Sequence, residues 1–284
     1  MKLNPGFKIL SLSLIWLWMS LFALLPLCLI LIASLLSHNE SHLMMRPFTF
    51  INYIQLYNHT YIRIFEKSFM IAGLATFACL LLGYPFAYLI ARHQSRFKSV
   101  LLLLVIIPFW TSSLIRSYAL IAIIKAKGIL NAALLSLGII HQPLSLLFTN
   151  DAVIIGLVYN LLPFMILPIM TNVERMDDRL IEAAYDLGSS KLYAFRKIII
   201  PLTMPGIIAG CILVFLPAMT IFYIPDILGG AKSILLGNLI QNQFLIAQNW
   251  PMGSAVSIML TLILISLIMI YAGVNHNQKK RGWL

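Results

Sequence analysis

The sequence predicts an all-α membrane protein with six transmembrane helices. Its 284 residues are 61% hydrophobic and only 10% charged, and the mean hydropathy of +0.93 exceeds that of a soluble domain of this size. Long unbroken apolar runs recur along the chain, whereas the alternating pattern of membrane β-strands is absent from the sequence. The formal net charge is +11, and the Lys and Arg residues gather in loops predicted to lie on one side of the membrane.

The apolar runs are interpreted as six spans of one transmembrane domain, residues 1–284. The spans are predicted at residues about 9–36, 68–91, 99–123, 151–170, 198–223 and 254–274. The first run follows Lys2 and Lys8, as the apolar region of a signal peptide does. Because the run is too long and no A-x-A cleavage site follows it, we expect a retained first span.

The distribution of basic residues predicts the orientation of these spans. Thirteen of the 20 Lys and Arg residues lie in the N-terminus, the loop after the second span, the loop at about 171–200 and the C-terminal tail. The positive-inside rule therefore predicts that both termini and the 171–200 loop face the cytoplasm.

The 171–200 loop is charged and amphipathic, and it carries particular residues at set spacings. Glu182-Ala183-Ala184 is followed by Gly188, and after nine intervening residues come Ile198-Ile199-Ile200-Pro201. The apolar residues before Gly188 recur at helical spacing, and Gly188 suits the left-handed position that ends a helix. Ser189 or Ser190 can cap a second short helix. The pattern predicts two short helices joined by a glycine turn.

Two such helices would project a small, stiff knob that fits a groove in a partner protein. Ala183 and Ala184 keep the knob thin, and Glu182 offers one charge-assisted contact. Asp177-Asp178 precedes the first helix, where short carboxylates accept the free N–H groups of a first turn. The alternative is an ordinary amphipathic loop in which Glu182 pairs with Arg179 one turn earlier.

The spacing of Glu182, Gly188 and Pro201 resembles the EAA signature of ABC-importer permease subunits, although Ile200 stands where that signature usually has Leu. Longer runs resemble the B-type permease subunits of spermidine/putrescine ABC importers. These runs are residues 82–87, 108–111, 154–159, 201–210 and 222–232. The resemblance extends over most of the chain from the second span to the sixth.

This resemblance implies the type I permease fold of ABC importers, in a bacterial inner membrane, and polyamine transport by alternating access. It also implies three protein partners: a second, homologous permease that forms a heterodimer with this chain, a homodimer of ATPase subunits, and a periplasmic polyamine-binding protein. The residues implied to couple to the ATPase are those of the EAA loop (about 171–200), namely Glu182, Ala183, Ala184, Gly188 and Pro201.

The sequence lacks the motifs of an enzyme or a metal protein. No G-x-x-x-x-G-K-[ST] phosphate loop occurs, so we expect ATP and Mg²⁺ on the partner ATPase and no cofactor in this chain. The three Cys residues lie in apolar runs, and no His, Cys, Asp or Glu cluster has metal-ligand spacing. We therefore expect no metal site and no catalytic residue. The charge distribution predicts contact with a lipid bilayer and not with nucleic acid.

Candidates for a polyamine path follow from the chemistry of a flexible polycation, which binds aromatic faces and carboxylates. Asp226 lies beside Phe222 and Tyr223 just beyond the fifth span, and Trp110 lies near the middle of the third. Asp226 could instead dock the binding protein or cap a turn, and Trp110 could pack between helices. Arg116 in the third span is expected to snorkel to the membrane surface and is not a predicted ligand.

Two alternatives to polyamine import remain open from the sequence. The first is the same importer architecture with a different small solute as its cargo. The second is a stand-alone secondary transporter or channel, which would need ion sites or carboxylates in the middle of its spans. No such carboxylate is predicted here.

Overall fold

The computed structural model describes residues 5–39, 42–45, 48–92, 97–230 and 233–280. The chain divides into two compact units. One unit comprises Met1–Ile62 and Leu239–Ile263, and the other comprises Arg63–Asn238 and Leu264–Leu284.

The described residues form thirteen α-helices and one two-stranded hairpin. The helices are α1 (Pro5–Met19), α2 (Leu25–Ser34), α3 (Ile51–Leu56), α4 (His59–Arg92), α5 (Phe97–Ile106), α6 (Ser113–Ile124), α7 (Ile129–Ser136), α8 (Asn150–Glu174), α9 (Arg179–Asp186), α10 (Lys191–Ala194), α11 (Ile200–Thr220), α12 (Leu236–Gln241) and α13 (Trp250–Lys280). Strand β1 (Ser37–Asn39) pairs antiparallel with β2 (His42–Met45). Four π-helical turns and one 3₁₀ turn join or extend the helices: Ser20–Leu24, Phe195–Ile199, Pro225–Gly229, Asn242–Ile246 and Ile107–Trp110.

The prediction of an all-α fold with six membrane-spanning helices is confirmed. Six helical stretches are long and apolar enough to cross a bilayer. They are Ser11–Ser34, His59–Arg92, Ser113–Ser136, Asn150–Glu174, Lys191–Thr220 and Trp250–Met269. A shorter apolar helical stretch, Phe97–Trp110, lies between the second and third of them.

In the first unit, a small polar cluster joins α3 to the end of α2. The Asn52 amide nitrogen donates to the carbonyl oxygens of Ser34 at 2.9 Å and Leu36 at 2.8 Å. The hydroxyl groups of Ser34 and Tyr53 are hydrogen-bonded at 2.7 Å. Upstream of this cluster, most of the large side chains of α2 and the end of α1 are exposed, as expected of a helix surrounded by lipid.

In the second unit, α8 and α11 pack closely because glycines of α11 let the two backbones approach. A Cβ atom added at Gly206 would lie 2.7 Å from the Pro168 carbonyl oxygen of α8. One added at Gly210 would lie 2.7 Å from the Met165 sulfur. Met165 itself is fully buried. The fourth and fifth spans therefore form the core of this unit, and the EAA loop connects them.

The region predicted as the third span, about 99–123, is interrupted in the structure. Helix α5 ends at Ile106, a 3₁₀ turn follows through Trp110, and Thr111 is extended with φ −91° and ψ 145°. Pro108 lacks an N–H and its ring clashes with the preceding helical turn, which accounts for the break. Helix α6 begins afresh at Ser113.

Candidate functional site

The EAA loop folds as the predicted pair of short helices. Helix α9 (Arg179–Asp186) begins after Asp177, whose carboxylate accepts the Arg179 N–H at 3.0 Å. The Asp178 side chain makes no capping bond, and its carboxylate pairs with Arg92. Of the two predicted helix starters, only Asp177 therefore accepts a first-turn N–H group through its side chain.

Gly188 ends α9 in the left-handed conformation that the sequence predicts. Its φ is +80°, and its N–H donates to the Tyr185 carbonyl at 2.9 Å. The Ser189 N–H donates to the Ala184 carbonyl at 3.0 Å. These two bonds satisfy carbonyls at the helix end, in the pattern of a Schellman motif. An L-residue with a side chain rarely adopts this φ, so Gly188 is a backbone requirement of the turn.

Helix α10 follows the glycine turn. No loop separates α10 from the fifth span. Ser190, and not Ser189, is its cap, since its hydroxyl oxygen accepts the Tyr193 N–H at 3.3 Å. Helix α10 continues through the π-helical turn Phe195–Ile199 into α11. Pro201 is the second residue of α11 and directly follows this π-helical turn, so the missing N–H falls where the helical hydrogen-bond pattern changes.

The EAA residues point in different directions. Glu182 and Ala183 are exposed, whereas Ala184 is only 8% exposed and faces the chain's own interior. Of the two alanines, only Ala183 therefore lies on the exposed surface of the loop. That both alanines keep the knob thin stays a prediction. No ion pair joins Glu182 to Arg179 among the described residues, so the alternative of an intraloop pair is not observed. Leu187, 89% exposed, adds an apolar tip beside the turn.

Charged contacts attach the N-terminal edge of the EAA loop to the neighbouring helices. Arg92, the last residue of α4, forms an ion pair with Asp178. The Lys98 ammonium lies 2.8 Å from the Glu174 carboxylate and donates to the Ala91 carbonyl at 3.3 Å. The ends of α4 and α8, the start of α5 and the start of α9 are therefore held together.

Aromatic contacts attach the second half of the loop to α4. The Phe195 ring packs edge-to-face on Tyr84 at 5.8 Å and on Tyr88 at 6.4 Å between ring centroids. The Tyr84 hydroxyl is 3.1 Å from the Thr203 hydroxyl of α11. The guanidinium carbon of Arg92 lies 5.7 Å from the centre of the Tyr88 ring.

Three of the four predicted path residues lie together where α11 ends. Phe222 lies in the two-residue break after α11 and Tyr223 directly follows it, and their rings pack edge-to-face at 6.0 Å. Asp226 lies in the π-helical turn Pro225–Gly229, and its N–H donates to the Phe222 carbonyl at 3.2 Å. Phe222 and Asp226 are exposed. The group offers one carboxylate and aromatic faces within a single turn.

Asn238 fixes the position of this turn. The residue is 2% exposed, and its amide nitrogen donates to Asp226 Oδ1 at 2.5 Å and to the Phe222 carbonyl at 2.8 Å. Its amide oxygen accepts the Leu235 N–H at 3.1 Å. One oxygen of Asp226 therefore anchors the turn, whereas Oδ2 has no hydrogen-bond partner among the described residues.

Trp110 lies apart from that group. The structure records no ring contact or hydrogen bond between Trp110 and Phe222, Tyr223 or Asp226 in the described part of the chain. Trp110 closes the 3₁₀ turn between α5 and α6 and is 82% exposed. Packing between helices of this chain, the alternative favoured from the sequence, is therefore not observed.

Arg116 packs against an aromatic ring from the first turn of α6, and its extension to the membrane surface stays a prediction. Its guanidinium carbon lies 5.5 Å from the centre of the Phe109 ring, which itself packs edge-to-face on Phe164 at 5.0 Å. Its Nε atom is buried without a hydrogen-bond partner in the described residues. The cation is thus held against an aromatic face within the protein.

Sequence reasoning missed Arg92, Asn238 and the tyrosines of α4 as parts of these sites. In the sequence, Arg92 is only one of the basic residues that follow the second predicted span. The four-residue spacing of Tyr84, Tyr88 and Arg92 was a usable signal, since it places them on one helix face. Asn238 carried no comparable signal, because a single Asn in a long connection is typical of any turn.

Comparison with known proteins agrees with this geometry. Residues 83–281 match the family model described as binding-protein-dependent transport system inner membrane component. The spermidine/putrescine transport system permease protein PotB of Haemophilus influenzae is 48% identical over 273 residues, covering 96% of this chain and 96% of that protein. The PotB protein of Escherichia coli is 49% identical over 254 residues, covering 89% of this chain and 92% of its own length.

A solved structure shares the fold. A chain of the crystal structure of a bacterial alginate ABC transporter, in complex with an alginate pentasaccharide-bound periplasmic protein, superimposes with a TM-score of 0.74. The match covers 97% of this chain and 94% of that one at 15% sequence identity. At this identity the likeness concerns the architecture and not the cargo.

Proposed function

Because the chain belongs to the family of binding-protein-dependent transport system inner membrane components, we propose that it is the permease subunit of an ATP-driven importer of spermidine and putrescine. The observation that carries the cargo assignment is 48% identity to a permease of that transport system over 96% of both chains. Similarity of that extent includes the turn that carries Phe222, Tyr223 and Asp226.

The proposed importer contains three further components. A second, homologous permease pairs with this chain as a heterodimer, a homodimer of ATPase subunits binds ATP and Mg²⁺, and a periplasmic binding protein delivers the polyamine. The sequence supports a separate ATPase because it has no phosphate loop of its own. The exposed Glu182, Ala183 and Leu187 form a compact surface on which the ATPase would dock.

In this proposal the EAA loop converts ATPase closure into a change of access. Closure of the two ATPase subunits displaces the loops of both permeases, and the permeases then rock so that the central path opens to the other side. The orientation that this requires has both termini and the EAA loop in the cytoplasm. The basic residues of that loop support this orientation.

The path for the polyamine begins, in this proposal, at the turn after α11. Asp226 Oδ2, which has no hydrogen-bond partner among the described residues, would accept a hydrogen bond from a substrate ammonium group. The exposed ring of Phe222 would cover a neighbouring ammonium group. Trp110, exposed in the break of the third span, is a second aromatic surface for the same cation. Such contacts are few and exposed, which suits a path that releases its cargo.

The proposal is tested by ATP hydrolysis in proteoliposomes that contain this chain, its candidate permease partner and the ATPase. The binding protein is added with spermidine, with putrescine and with an unrelated solute in separate runs. We expect hydrolysis to rise with either polyamine only. Stimulation by another solute alone would reject the cargo, and solute uptake without any ATPase subunit would reject the importer in favour of a secondary transporter.

A further inference from the structure

Helix α4 presents a row of three side chains to the EAA loop. Tyr84, Tyr88 and Arg92 are spaced by four residues, so they lie on one face of the helix, one turn above another. These three residues are called the α4 row. Of the three, only Tyr84 lies in a run that resembles the permease subunits, and the docking surface of the loop includes none of them.

The first contact of the α4 row is the ion pair between Arg92 and Asp178. The Arg92 side chain is 22% exposed and the Asp178 side chain 58%. Two nitrogens of the guanidinium, Nε and Nη2, are buried without a hydrogen-bond partner in the described part of the chain. Asp178 is therefore the one carboxylate that this half-buried cation contacts there.

The second contact is aromatic and lies on the far side of the glycine turn. Phe195 sits against the rings of both Tyr84 and Tyr88 at 5.8 and 6.4 Å. Tyr84 also reaches Thr203 in the first turns of α11 through its hydroxyl. Arg92 lies over Tyr88, so the ionic and the aromatic contacts share one residue.

The α4 row thus holds the EAA loop at two points. Asp178 precedes α9 and Phe195 follows α10, while Glu182 and Gly188 lie between them. A force applied to the exposed surface at Glu182 cannot displace the loop without displacing α4 or breaking one of these contacts.

We propose that the α4 row is a positioning element that transmits movement of the EAA loop to the second span. This inference rests on the proposed function, because it assumes that an ATPase moves the loop. It adds that docking and transmission depend on different residues: the exposed face of α9 receives the ATPase, and Arg92 with Tyr88 passes the displacement on. If the α4 row only maintained the shape of the loop, substitutions in the row would reduce ATPase docking and polyamine uptake by the same factor.

The test compares Arg92→Gln with Arg63→Gln in the complete complex in proteoliposomes. Arg63 is an exposed arginine near the opposite end of the same helix, so it controls for the lost charge. Three quantities are measured: ATPase docking, ATP hydrolysis stimulated by the loaded binding protein, and polyamine taken up per ATP hydrolysed. For Arg92→Gln we expect unchanged docking and a fall in uptake per ATP of at least about fivefold, the lower end of typical coupling factors. Arg63→Gln should match wild type in all three.

Two further sets of variants test the ion pair and the Tyr88 ring separately. The double variant Arg92→Asp with Asp178→Arg restores an ion pair and should recover uptake per ATP relative to Arg92→Gln. Tyr88→Leu removes the ring shared by Arg92 and Phe195 and should lower the ratio, whereas Tyr88→Phe keeps the ring and should not. Should Arg92→Gln fail to assemble, the pair of Tyr88 variants decides the question.

The outcomes separate this inference from the proposed function. If the unmodified complex couples uptake to ATP but Arg92→Gln and Tyr88→Leu have a wild-type ratio, the α4 row has no part in transmission. Loss of docking and uptake in equal measure would also overturn it, since that result indicates a purely structural role. Absence of ATP-driven uptake in the unmodified complex would overturn the proposed function and this inference with it.

Discussion

Replacing Gly188 with Ala should weaken ATPase docking through the backbone alone. Gly188 has φ +80°, and a Cβ atom added there would meet no other atom within 4 Å. Its cost is therefore the left-handed conformation itself, about 1–2 kcal/mol for a residue with a side chain. If the free loop relaxes out of this conformation and docking restores it, the dissociation constant rises by a factor of about 5–30.

The assay is a titration of purified ATPase onto the permease pair in nanodiscs. Gly188→Asn should dock better than Gly188→Ala, because Asn visits the left-handed region more readily than Ala. Gly188→Val should dock worse than Gly188→Ala, since β-branched side chains fit this region poorly. The matched control is Gly73→Ala, where an added Cβ also meets no atom within 4 Å but the residue is helical. Equal dissociation constants for wild type and Gly188→Ala would refute the reasoning.

Three further substitutions test the other sites. Glu182→Lys should weaken ATPase pull-down by more than about tenfold, because it reverses the charge of an exposed contact, while membrane insertion stays normal. A normal pull-down would show that Glu182 is not part of the docking surface. Asp226→Asn keeps an acceptor for Asn238 but removes the negative charge. Polyamine uptake should slow by at least about tenfold with unaltered assembly, since a hydrogen bond to a charged group contributes about 1.5–3 kcal/mol. Unchanged uptake would show that Asp226 only anchors the turn. Gly206→Ala forces a Cβ to within 2.7 Å of a backbone oxygen of α8 and should lower the free energy of unfolding by about 1–3 kcal/mol. Thermal unfolding measures that change beside Gly73→Ala, and equal stability of the two would contradict the close packing of α8 and α11.

The parts of the fold that depend on local rules were predictable from the sequence. Six apolar runs of sufficient length specify six spans, because an unsatisfied backbone in lipid is costly. The left-handed φ of Gly188 and the cap at Ser190 follow equally from short-range chemistry. In each case the decisive contact lies within a few residues of the one that forms it.

The contacts that attach the EAA loop to α4 were not predictable in this way. Arg92 and Asp178 are 86 positions apart in the sequence, and Tyr84 and Phe195 are more than a hundred apart. A basic residue at the end of a span has an adequate explanation in membrane topology, so nothing in the sequence called for an ion pair. The burial of Ala184 likewise depends on which face of α9 meets the rest of the chain, and periodicity alone does not decide that for a helix of eight residues.

The interruption of the third span shows where two local rules compete. Pro108 is tolerated in membrane helices when neighbouring groups satisfy the freed backbone, so its presence alone did not predict a break. Here the 3₁₀ turn through Trp110 is followed by an extended Thr111, whose hydroxyl donates to the Pro108 carbonyl at 2.8 Å. The Thr111 N–H also donates to that carbonyl, at 3.3 Å, and Trp110 at the end of the turn is exposed.

The EAA loop is connected to two spans in different ways. Towards the fifth span the connection is covalent and helical, since Lys191–Thr220 is one continuous stretch of 30 residues, about 45 Å long. Phe222 and Asp226 follow that stretch within six residues, so only the two-residue break at Ile221 and Phe222 separates it from the turn that carries the candidate path. Towards the second span the connection is made only by side chains, through the α4 row. Substitutions in that row should therefore reduce coupling while the link to the candidate path remains intact, whereas a helix break within α11 should disrupt the link to the path itself.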